Sequence, residues 1–302
     1  MRPSSEQAGA TEACFGSGLP PPQAQSAERV NRGTNPKRFE VLPMAREHTA
    51  NDELSTTLPR ARRWLRVPCC AVPSHILTLR ENIDSAALLA RAWAISLRAH
   101  IDAREAERWV EGVLSAKAHW TADFGGEQYS LGRAFYAHFE EGRSRDYFAM
   151  ARESDTLVER FAPGLQARMI DLVADATGGT VRPRRGWCGP GVHIFPAEEK
   201  VAREGGVKHF DTEGVPSFAR ERRSRALSIV LMLQNGESGG GLRLWEATYS
   251  GEDHPSDAQL VRESALVDYE AGDAVLFDSY RLHQIQPFTG KKARISATVH
   301  AL

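Results

Sequence analysis

The segment GDAVLFDSYRLH occupies residues 272–283 and carries the clearest structural signal in the chain. Gly272-Asp273 is a turn signal, and the apolar run Ala274–Phe277 after it has the length and composition of a buried strand. A second short run begins at Leu282 and places His283 near its start. The segment therefore predicts two consecutive short strands, and the second carries the imidazole of His283 near its start.

Further short runs of β-branched or alternating residues flank this segment from about residue 180 to the end of the sequence. They are Gly191–Phe195, Leu227–Leu233, Leu242–Thr248, Leu260–Tyr269, Ala274–Phe277, Leu282–Gln286 and Ala293–Val299. Gly, Pro, Asn and Asp separate the runs, and no helical pattern alternates with them, which disfavours a doubly wound dinucleotide-binding fold. This number of short strands indicates a compact antiparallel barrel or sandwich.

Between about residues 80 and 178 the apolar side chains recur at three- and four-residue spacing, which is typical of helices. Leu88, Leu89, Trp93 and Leu97 would lie on one helix face. Further helices are expected downstream, and Gly178-Gly179 would end the last of them. We therefore predict a helical region that packs against the strands.

Residues 1–60 are rich in Pro, Gly, Ser and Gln, and this composition cannot bury a core. We predict a disordered segment over 1–60 and one domain over 61–302, with its helices at about 80–178 and its strands at about 180–302. Translation starts at Met1 or at Met44, between which the sequence does not decide.

The charge balance excludes some classes of protein. In the 302 residues, 38 Lys and Arg nearly cancel 39 Asp and Glu, so a strongly basic nucleic-acid-binding surface over the whole chain is not expected. No apolar run reaches the roughly 18 residues of a membrane span, and no apolar signal region is seen at the N-terminus. The 4 cysteines form neither a disulfide framework nor a zinc pattern. These features predict a cytoplasmic protein that binds neither membranes nor nucleic acids.

A candidate metal site begins with the triplet His209-Phe210-Asp211. Residues two apart on an extended strand point to the same side, so the imidazole and the carboxylate would converge. Alone this motif is weak, because a histidine at a strand end followed by an Asx turn has the same spacing. His283 would add a third ligand, and two His with one carboxylate leave one face of a metal open, which suits Fe(II). Zn(II) is the competing metal, although structural zinc sites are normally closed by four protein ligands.

Arg294 and Ser296 would share one face of the strand after the turn Thr289–Lys292. A guanidinium and a hydroxyl in this position can bind a carboxylate inside the barrel. The alternative is that Arg294 pairs with a carboxylate of the protein itself.

Several motifs in this half of the chain are shared with one known family. They are His209-x-Asp211, Gly239–Leu244, Gly272–Phe277, His283 and Arg294-x-Ser296. Together they resemble the Fe(II)/2-oxoglutarate-dependent dioxygenase superfamily over roughly residues 180–302. The resemblance implies an α+β protein with a double-stranded β-helix, which is a jelly-roll or cupin-like barrel, braced by N-terminal helices.

The resemblance also implies roles for the matching residues. His209, Asp211 and His283 would be the iron ligands, Arg294 would hold the distal carboxylate of 2-oxoglutarate, and Ser296 would assist it. The implied cofactors are Fe(II), 2-oxoglutarate and O2, and the implied reaction hydroxylates an unactivated C–H bond with release of succinate and CO2. Because Asp211 is present, halogenation is disfavoured.

The substrate is less well defined by the sequence. Trp187, His193, Phe195 and Trp245 are predicted to line its pocket. A small molecule such as an amino acid or another carboxylate-bearing metabolite is favoured as the substrate. A protein side-chain hydroxylase and a non-catalytic, cupin-like metal-binding sensor are the alternatives, and the oligomeric state stays open.

Overall fold

The computed structural model describes residues 76–79 and 85–302, and within them the strands and helices are as follows. The strands are β1 Ile76–Leu79, β2 Ala94–Leu97, β3 Thr121–Asp123, β4 Gln128–Leu131, β5 Gly191–Phe195, β6 Leu227–Gln234, β7 Ser238–Gly239, β8 Leu242–Thr248, β9 Ser264–Val267, β10 Ala274–Asp278, β11 Arg281–Ile285, β12 Phe288–Thr289 and β13 Arg294–Ala301. The helices are α1 Ser85–Leu89, α2 Ala103–Ser115, α3 Phe135–Glu140, α4 Ser144–Ala149, α5 Ala151–Phe161, α6 Leu165–Thr177, α7 Lys200–Glu204, α8 Ser217–Glu221 and α9 Asp257–Leu260. The predictions for residues 1–60 and for the start site lie outside the described residues.

The strands form one large sheet and two small ones. The large sheet has the order β1-β2-β10-β6-β13-β5-β4-β3, and the smaller sheets are β11-β8-β9 and β12-β7. The pair β1–β2 is parallel, while the other strand pairs are antiparallel. The α+β class is thus observed, but the sheets of the described residues do not close into a barrel.

Each face of the large sheet buries a different layer. One face packs against helices in a core that includes Leu97, Ile194, Leu231, Ile295, Trp109, Met169 and Leu172. The other face meets the three-stranded sheet in a cluster that includes Val230, Met232, Phe277, Leu242, Leu244 and Val267. Because side chains alternate along β13, Ile295 and Ala297 point to the helices, and Arg294 and Ser296 point to the smaller sheet. The space between the sheets is where polar side chains can meet.

The turn at Gly272 fixes the start of β10. Gly272 has a φ of 91°, and a Cβ there would lie 2.5 Å from the carbonyl oxygen of Ile101, so this position requires glycine. The neighbouring Asp273 carboxylate accepts hydrogen bonds from Ala99 N at 2.7 Å and from Arg98 Nη1 at 2.6 Å. The predicted turn is therefore confirmed, and it also anchors the segment that follows β2.

The prediction of a helix from Leu88 to Leu97 is wrong for its second half. Helix α1 ends at Leu89, and Ala94–Leu97 forms β2, which pairs with β10 in the register Leu97↔Ala274. All four residues of β2 are buried, and such a short apolar run has no periodicity that distinguishes a strand from a helix. Strands β3 and β4 also lie within the region predicted to be helical.

The predicted strand Leu260–Tyr269 is shorter than expected. Leu260 belongs to α9, which begins with a capping box formed by Ser256 and Gln259. The box satisfies the free amides of the helix N-terminus and so favours a helical turn here. Strand β9 then spans Ser264–Val267 only.

No helix of the described residues combines the length and the apolar character that a membrane crossing requires.

Asp123 is a fully buried carboxyl at the end of β3. Its Oδ2 accepts a hydrogen bond from Ser130 Oγ, and Arg143 Nη2 lies 3.8 Å from its Oδ1. Burial is the largest influence on this group and raises the pKa of Asp123 to about 6. The folded protein therefore keeps this carboxyl protonated to a higher pH than the unfolded chain does.

We expect Asp123→Asn to stabilise the protein at pH 8. A carboxyl whose folded pKa exceeds its unfolded value of about 3.9 favours folding at low pH, and this contribution is lost as the pH rises through about 6. Each pKa unit is worth about 1.4 kcal/mol, so the gain should reach roughly 2–3 kcal/mol. Thermal unfolding at pH 8 and at pH 4.5 measures it, and the gain should shrink at the lower pH. A lower melting temperature of the variant at pH 8 would contradict this account.

Candidate metal centre

The His-x-Asp motif lies on an extended segment beside β11. His209 N donates to His283 O, and His283 N donates to His209 O, both at 3.1 Å. Asp211 N donates to Ser279 O at 2.9 Å, which continues the pairing. Since side chains alternate on an extended chain, Phe210 points the other way and is buried, while His209 and Asp211 share the side of His283.

The three side chains converge as predicted for a metal site. Asp211 Oδ1 lies 3.4 Å from His209 Nε2 and 3.5 Å from His283 Nε2. One ligand atom from each of the three residues lies within 4.8 Å of the others. This spacing lets a single metal ion contact all three atoms, and two imidazoles with one carboxylate leave the remaining positions open.

Hydrogen bonds orient both imidazoles toward the metal position. His209 Nδ1 is 2.8 Å from Val207 O, and His283 Nδ1 is 3.0 Å from Arg281 O. A carbonyl only accepts, so Nδ1 carries a proton in both rings and Nε2 is the nitrogen left to bind a metal. Ligating histidines in metalloproteins are held in the same way. Burial acts to lower the pKa of His209, but the hydrogen bond and charge of Asp211 raise it to about 9, so a bound metal would displace a proton from its Nε2. The donor atoms therefore fit a divalent cation such as Fe(II).

The carboxylate of Asp211 is also prepared for binding. Ser228 Oγ donates to Asp211 Oδ2 at 2.5 Å, which leaves Oδ1 facing the two imidazoles. Burial acts to raise the pKa of Asp211, but the imidazoles of His283 and His300 outweigh burial and hold it well below its usual range. Asp211 is thus ionised, with one oxygen directed at the two imidazoles, as a metal ligand would require.

Arg294 is fully buried on β13, on the sheet face that also bears Ser296. Its Nε donates to Gly240 O at 3.1 Å, its Nη1 to Ser296 Oγ at 3.2 Å and its Nη2 to Tyr269 Oη at 2.5 Å. The guanidinium also lies 5.3 Å from the centre of the Phe195 ring. A guanidinium has five N–H donors, so these contacts leave two of them for a ligand.

Within residues 76–79 and 85–302 no carboxylate forms an ion pair with Arg294. The alternative of an internal partner is therefore not observed in the described part of the chain. A buried charge without a counter-ion is costly. An anionic ligand would remove that cost.

The glycine-rich turn positions the carbonyl that receives Arg294. Gly239 and Gly240 have φ values of 79° and 75°, which favour glycine. A Cβ at Gly239 would lie 2.3 Å from Pro287 O, and one at Gly241 would lie 2.8 Å from Val267 O. Close backbone approach thus requires glycine at 239 and 241, and the positive φ favours it at 240. The turn brings Gly240 O to the guanidinium.

His193 and Phe195 lie on the same face as the arginine. Strand β5 pairs with β13 in the register Ser296↔His193 and Arg294↔Phe195, and directly paired residues point to the same side. Burial lowers the pKa of His193 to about 4, so its ring is neutral. Its Nδ1 is buried and has no hydrogen-bond partner among the residues that the structure describes, and its ring centre lies 5.7 Å from that of Tyr136. The structure thus places both residues on the inner face, where their predicted role in substrate binding stays a prediction.

Trp187 lies beside the turn that follows Asp211. Its ring stacks under the Arg184 guanidinium at 3.9 Å and has its centre 4.4 Å from that of Phe135. A Cβ on Gly214 would be 3.6 Å from Trp187 Cζ3. Trp187 thus lies at the edge of the site, and most of its ring packs against Arg184 and Phe135. Its predicted role in substrate binding stays a prediction.

Trp245 does not face the metal position, although it was predicted to line the substrate pocket. Its neighbour Leu244 pairs directly with His283, so Leu244 takes the inner face and Trp245 the outer one. Trp245 is buried there in a cluster with Phe210 and Leu282. The prediction that it lines the substrate pocket is therefore corrected.

Glu213 lies two residues after Asp211 and is half-buried. Burial first, and the charge of Asp211 second, raise the pKa of Glu213 to about 7. A second acidic side chain thus lies close to the metal ligands.

Four residues of the site were missed by the sequence analysis: Tyr269, Ser228, Ser279 and His300. Tyr269 contacts Arg294, while Ser228 contacts Asp211, Ser279 and His300. The one available signal was alternation on β13, which places His300 on the face of Arg294 and Ser296. The other three belong to no motif.

Comparisons with known proteins find one matching family model and several solved structures with low sequence identity. A family model described as the 2OG-Fe(II) oxygenase superfamily matches residues 200–301. No curated protein matches the chain. Among solved structures, the epimerase SnoN in complex with Fe3+, alpha ketoglutarate and nogalamycin RO is 15% identical, with a TM-score of 0.46 over 71% of this chain and 80% of that chain.

Two further structures show similarly low identity. An oxidoreductase of the 2OG-Fe(II) oxygenase family from Burkholderia pseudomallei is 16% identical, with a TM-score of 0.42 over 76% of this chain and 95% of that chain. A prolyl-4-hydroxylase from Pseudomonas putida is 16% identical, with a TM-score of 0.42 over 71% of this chain and 96% of that chain. The family-model match to the 2OG-Fe(II) oxygenase superfamily covers about a third of the chain, and that stretch contains the three converging side chains and the buried arginine.

Proposed function

We propose that this protein is an Fe(II)- and 2-oxoglutarate-dependent oxygenase that hydroxylates an unactivated C–H bond of a small molecule. The observation that carries the proposal is Arg294, a buried guanidinium that has no counter-ion among the described residues and lies on the sheet face that points toward the smaller sheet. A pure metal-binding sensor has no use for such a carboxylate anchor, so the enzyme is favoured over the sensor.

The site residues form two groups, one for Fe(II) and one for 2-oxoglutarate. His209, Asp211 and His283 would hold Fe(II) through two Nε2 atoms and one carboxylate oxygen. When bound, Fe(II) with 2-oxoglutarate and O2 supplies an oxidant for C–H bonds, with release of succinate and CO2. Arg294 would bind the distal carboxylate of 2-oxoglutarate, and the Tyr269 hydroxyl, which accepts from Arg294, can donate its own proton to that carboxylate.

The arrangement of the two sheets supports a double-stranded β-helix. The inner faces of the large sheet and of β11-β8-β9 share one apolar cluster, which would form the floor of a flattened barrel. His193 and Phe195 lie on the inner face of the large sheet and would form part of the substrate pocket. We propose a small-molecule substrate such as an amino acid or another carboxylate-bearing metabolite, in preference to a protein side chain.

The proposal is tested by adding Fe(II) and then 2-oxoglutarate to the full chain under anaerobic conditions. We expect a new absorption band only when both are present, because the co-substrate must chelate the bound metal. Succinate release is then measured with O2 against a panel of amino acids and other carboxylates. Asp211→Ala is the control and should lose both the band and the succinate. Binding of Fe(II) without any binding or consumption of 2-oxoglutarate would instead support the sensor.

A further inference from the structure

Aromatic side chains form a contiguous surface on α3, on α4 and on the segment before β5. The ring centre of Trp187 lies 4.4 Å from that of Phe135 and 5.3 Å from that of Phe148. Phe139 stacks on Phe135, with the ring centres 5.7 Å apart. Phe139 and Phe148 are 54% and 44% exposed. Scattered exposed apolar residues are normal, but a contiguous patch of them marks a binding surface. We call Phe135, Phe139, Phe148 and Trp187 the aromatic wall.

The aromatic wall borders the turn that follows the proposed metal ligand Asp211. A Cβ on Gly214, within this turn, would lie 3.6 Å from Trp187 Cζ3. The Arg184 guanidinium covers the Trp187 ring at 3.9 Å and donates from Nη1 to Gly214 O at 2.9 Å. Trp187 is therefore packed against the loop that carries the carboxylate of the metal site.

Strand directions place the aromatic wall at the end of the large sheet that holds Asp211. Ser228, which donates to Asp211, lies near the start of β6. Strands β6 and β5 both pair antiparallel with β13, so they start at the same end of the sheet, and β4 ends there because it pairs antiparallel with β5. Trp187 precedes β5 and Phe135 follows β4, so both extend from this end.

Helix α3 also connects the aromatic wall to the inner face of the large sheet. Tyr136, which follows Phe135, has its ring centre 5.7 Å from that of His193 on that face. Burial first, and with it the charge of Asp211, raise the pKa of Tyr136, so its hydroxyl lies within the electrostatic field of the proposed metal ligand. The aromatic wall is therefore continuous with the space in which the metal and 2-oxoglutarate would bind.

We propose that the aromatic wall binds an aromatic ring of the substrate while the carbon that reacts lies at the metal position. This inference rests on the proposed function and narrows its small-molecule substrates to those that carry an aromatic ring. Such a ring can stack on Phe148 or Trp187 and removes their exposed apolar surface from water. A small polar metabolite would leave that surface exposed.

Binding of matched acids tests the proposal without turnover. The full chain is loaded with Zn(II) in place of Fe(II) and with 2-oxoglutarate, and is titrated calorimetrically with phenylalanine, 3-phenylpropionate and indole-3-acetate. Alanine, propionate and acetate are the counterparts without a ring. From the apolar area that a ring can bury, we expect the ring-bearing member of a pair to bind at least about tenfold more tightly. Equal affinity within every pair, or no binding of any ring-bearing acid, would overturn the proposal.

Substitution of Phe148 assigns this preference to the aromatic wall. Because the Phe148 side chain is 44% exposed, Phe148→Ser should fold, and its preference for the ring should fall to about threefold or less. Phe148→Tyr keeps a ring and should retain the parent's preference. Leu114→Ser is the matched control, since Leu114 is also 44% exposed but lies on α2, which packs on the opposite face of the large sheet. An unchanged preference in a folded Phe148→Ser protein, checked by thermal unfolding, would overturn the proposal.

Failure of this inference can be told apart from failure of the proposed function. Absence of anaerobic 2-oxoglutarate binding by the parent would count against the proposed function, and the ring preference can then be measured with Zn(II) alone. Normal 2-oxoglutarate binding together with equal affinity within every pair of acids would count against the aromatic wall only.

Discussion

Replacing His283 with alanine should reduce the affinity for Fe(II) by at least a hundredfold and bring succinate formation to background. The Nε2 atom of His283 lies 3.5 Å from Asp211 Oδ1, and its Nδ1 contact with Arg281 O fixes the ring in this orientation. Loss of contacts behind a metal ligand commonly costs ten- to a hundredfold in affinity, and loss of the ligand itself should cost more. Metal titration followed by absorption or calorimetry measures the change.

The matched control for this variant is His254→Ala. His254 is exposed in the loop before α9, so the same substitution there should leave Fe(II) affinity unchanged. Because His283 is buried, alanine also leaves a cavity, and His283→Gln keeps the side-chain volume while it removes the imidazole. Circular dichroism establishes that each variant is folded. A folded His283→Gln protein with the parent's iron affinity would refute the assignment of this ligand.

The strands that carry the site were predictable because their signals are local. Alternating residues and turn residues delimit β5, β8, β10, β11 and β13 to within two residues at either end. The turn before β10 was predictable for the same reason, because Gly272-Asp273 is a local turn signal. The structure adds that only glycine at 272 tolerates the close approach of Ile101 O. The convergence of His209, Asp211 and His283 followed from the motif and its alternation.

The predictions that were wrong concern residues whose structure depends on contacts with distant parts of the chain. Residues Ala94–Leu97 form a strand because β10 offers them a partner, and nothing within four apolar residues reveals that partner. Both faces of β8 are buried, one against the large sheet and one in the cluster with Phe210 and Leu282. Alternation alone therefore showed that Trp245 and Leu244 face opposite ways, but not which of the two faces the metal.

The supporting residues were missed for a related reason. Ser228 and His300 are 72 positions apart, and Arg294 and Tyr269 are 25 positions apart. The contact of Ser228 with His300 depends on the register between β6 and β13, which includes a shift between Ile295 and Ser296. Tyr269 lies on neither strand and reaches Arg294 from the segment after β9. A single serine or tyrosine has no distinguishing spacing, so only the assembled sheet identifies these partners.

Replacing Arg294 with glutamine should raise the KM for 2-oxoglutarate by about ten- to a hundredfold while Fe(II) affinity stays at the parent's level. A guanidinium can grip a carboxylate with two parallel charge-assisted hydrogen bonds, each worth roughly 1.5–3 kcal/mol, and 1.4 kcal/mol corresponds to a factor of ten. Glutamine offers at most a neutral amide at this position. Metal binding should be unaffected, because Arg294 bonds to Gly240, Ser296 and Tyr269 and to none of the three ligands.

Two controls make this prediction specific to the anchor. Arg243→Gln changes an arginine that bonds to Gln286 and Ser264, and it should leave the KM unchanged. Arg294→Lys keeps the charge without the planar fork, so its KM for 2-oxoglutarate should lie between those of the parent and the Gln variant. Thermal stability gives an independent reading, because ligand that binds only the folded protein raises the melting temperature. Saturating 2-oxoglutarate should stabilise the Fe(II)-loaded parent and the Arg243→Gln protein but should have little effect on Arg294→Gln. If Arg294→Gln retained both the parent's KM and its thermal shift, the buried guanidinium would not be the carboxylate anchor, and another cation of the site would have to take that role.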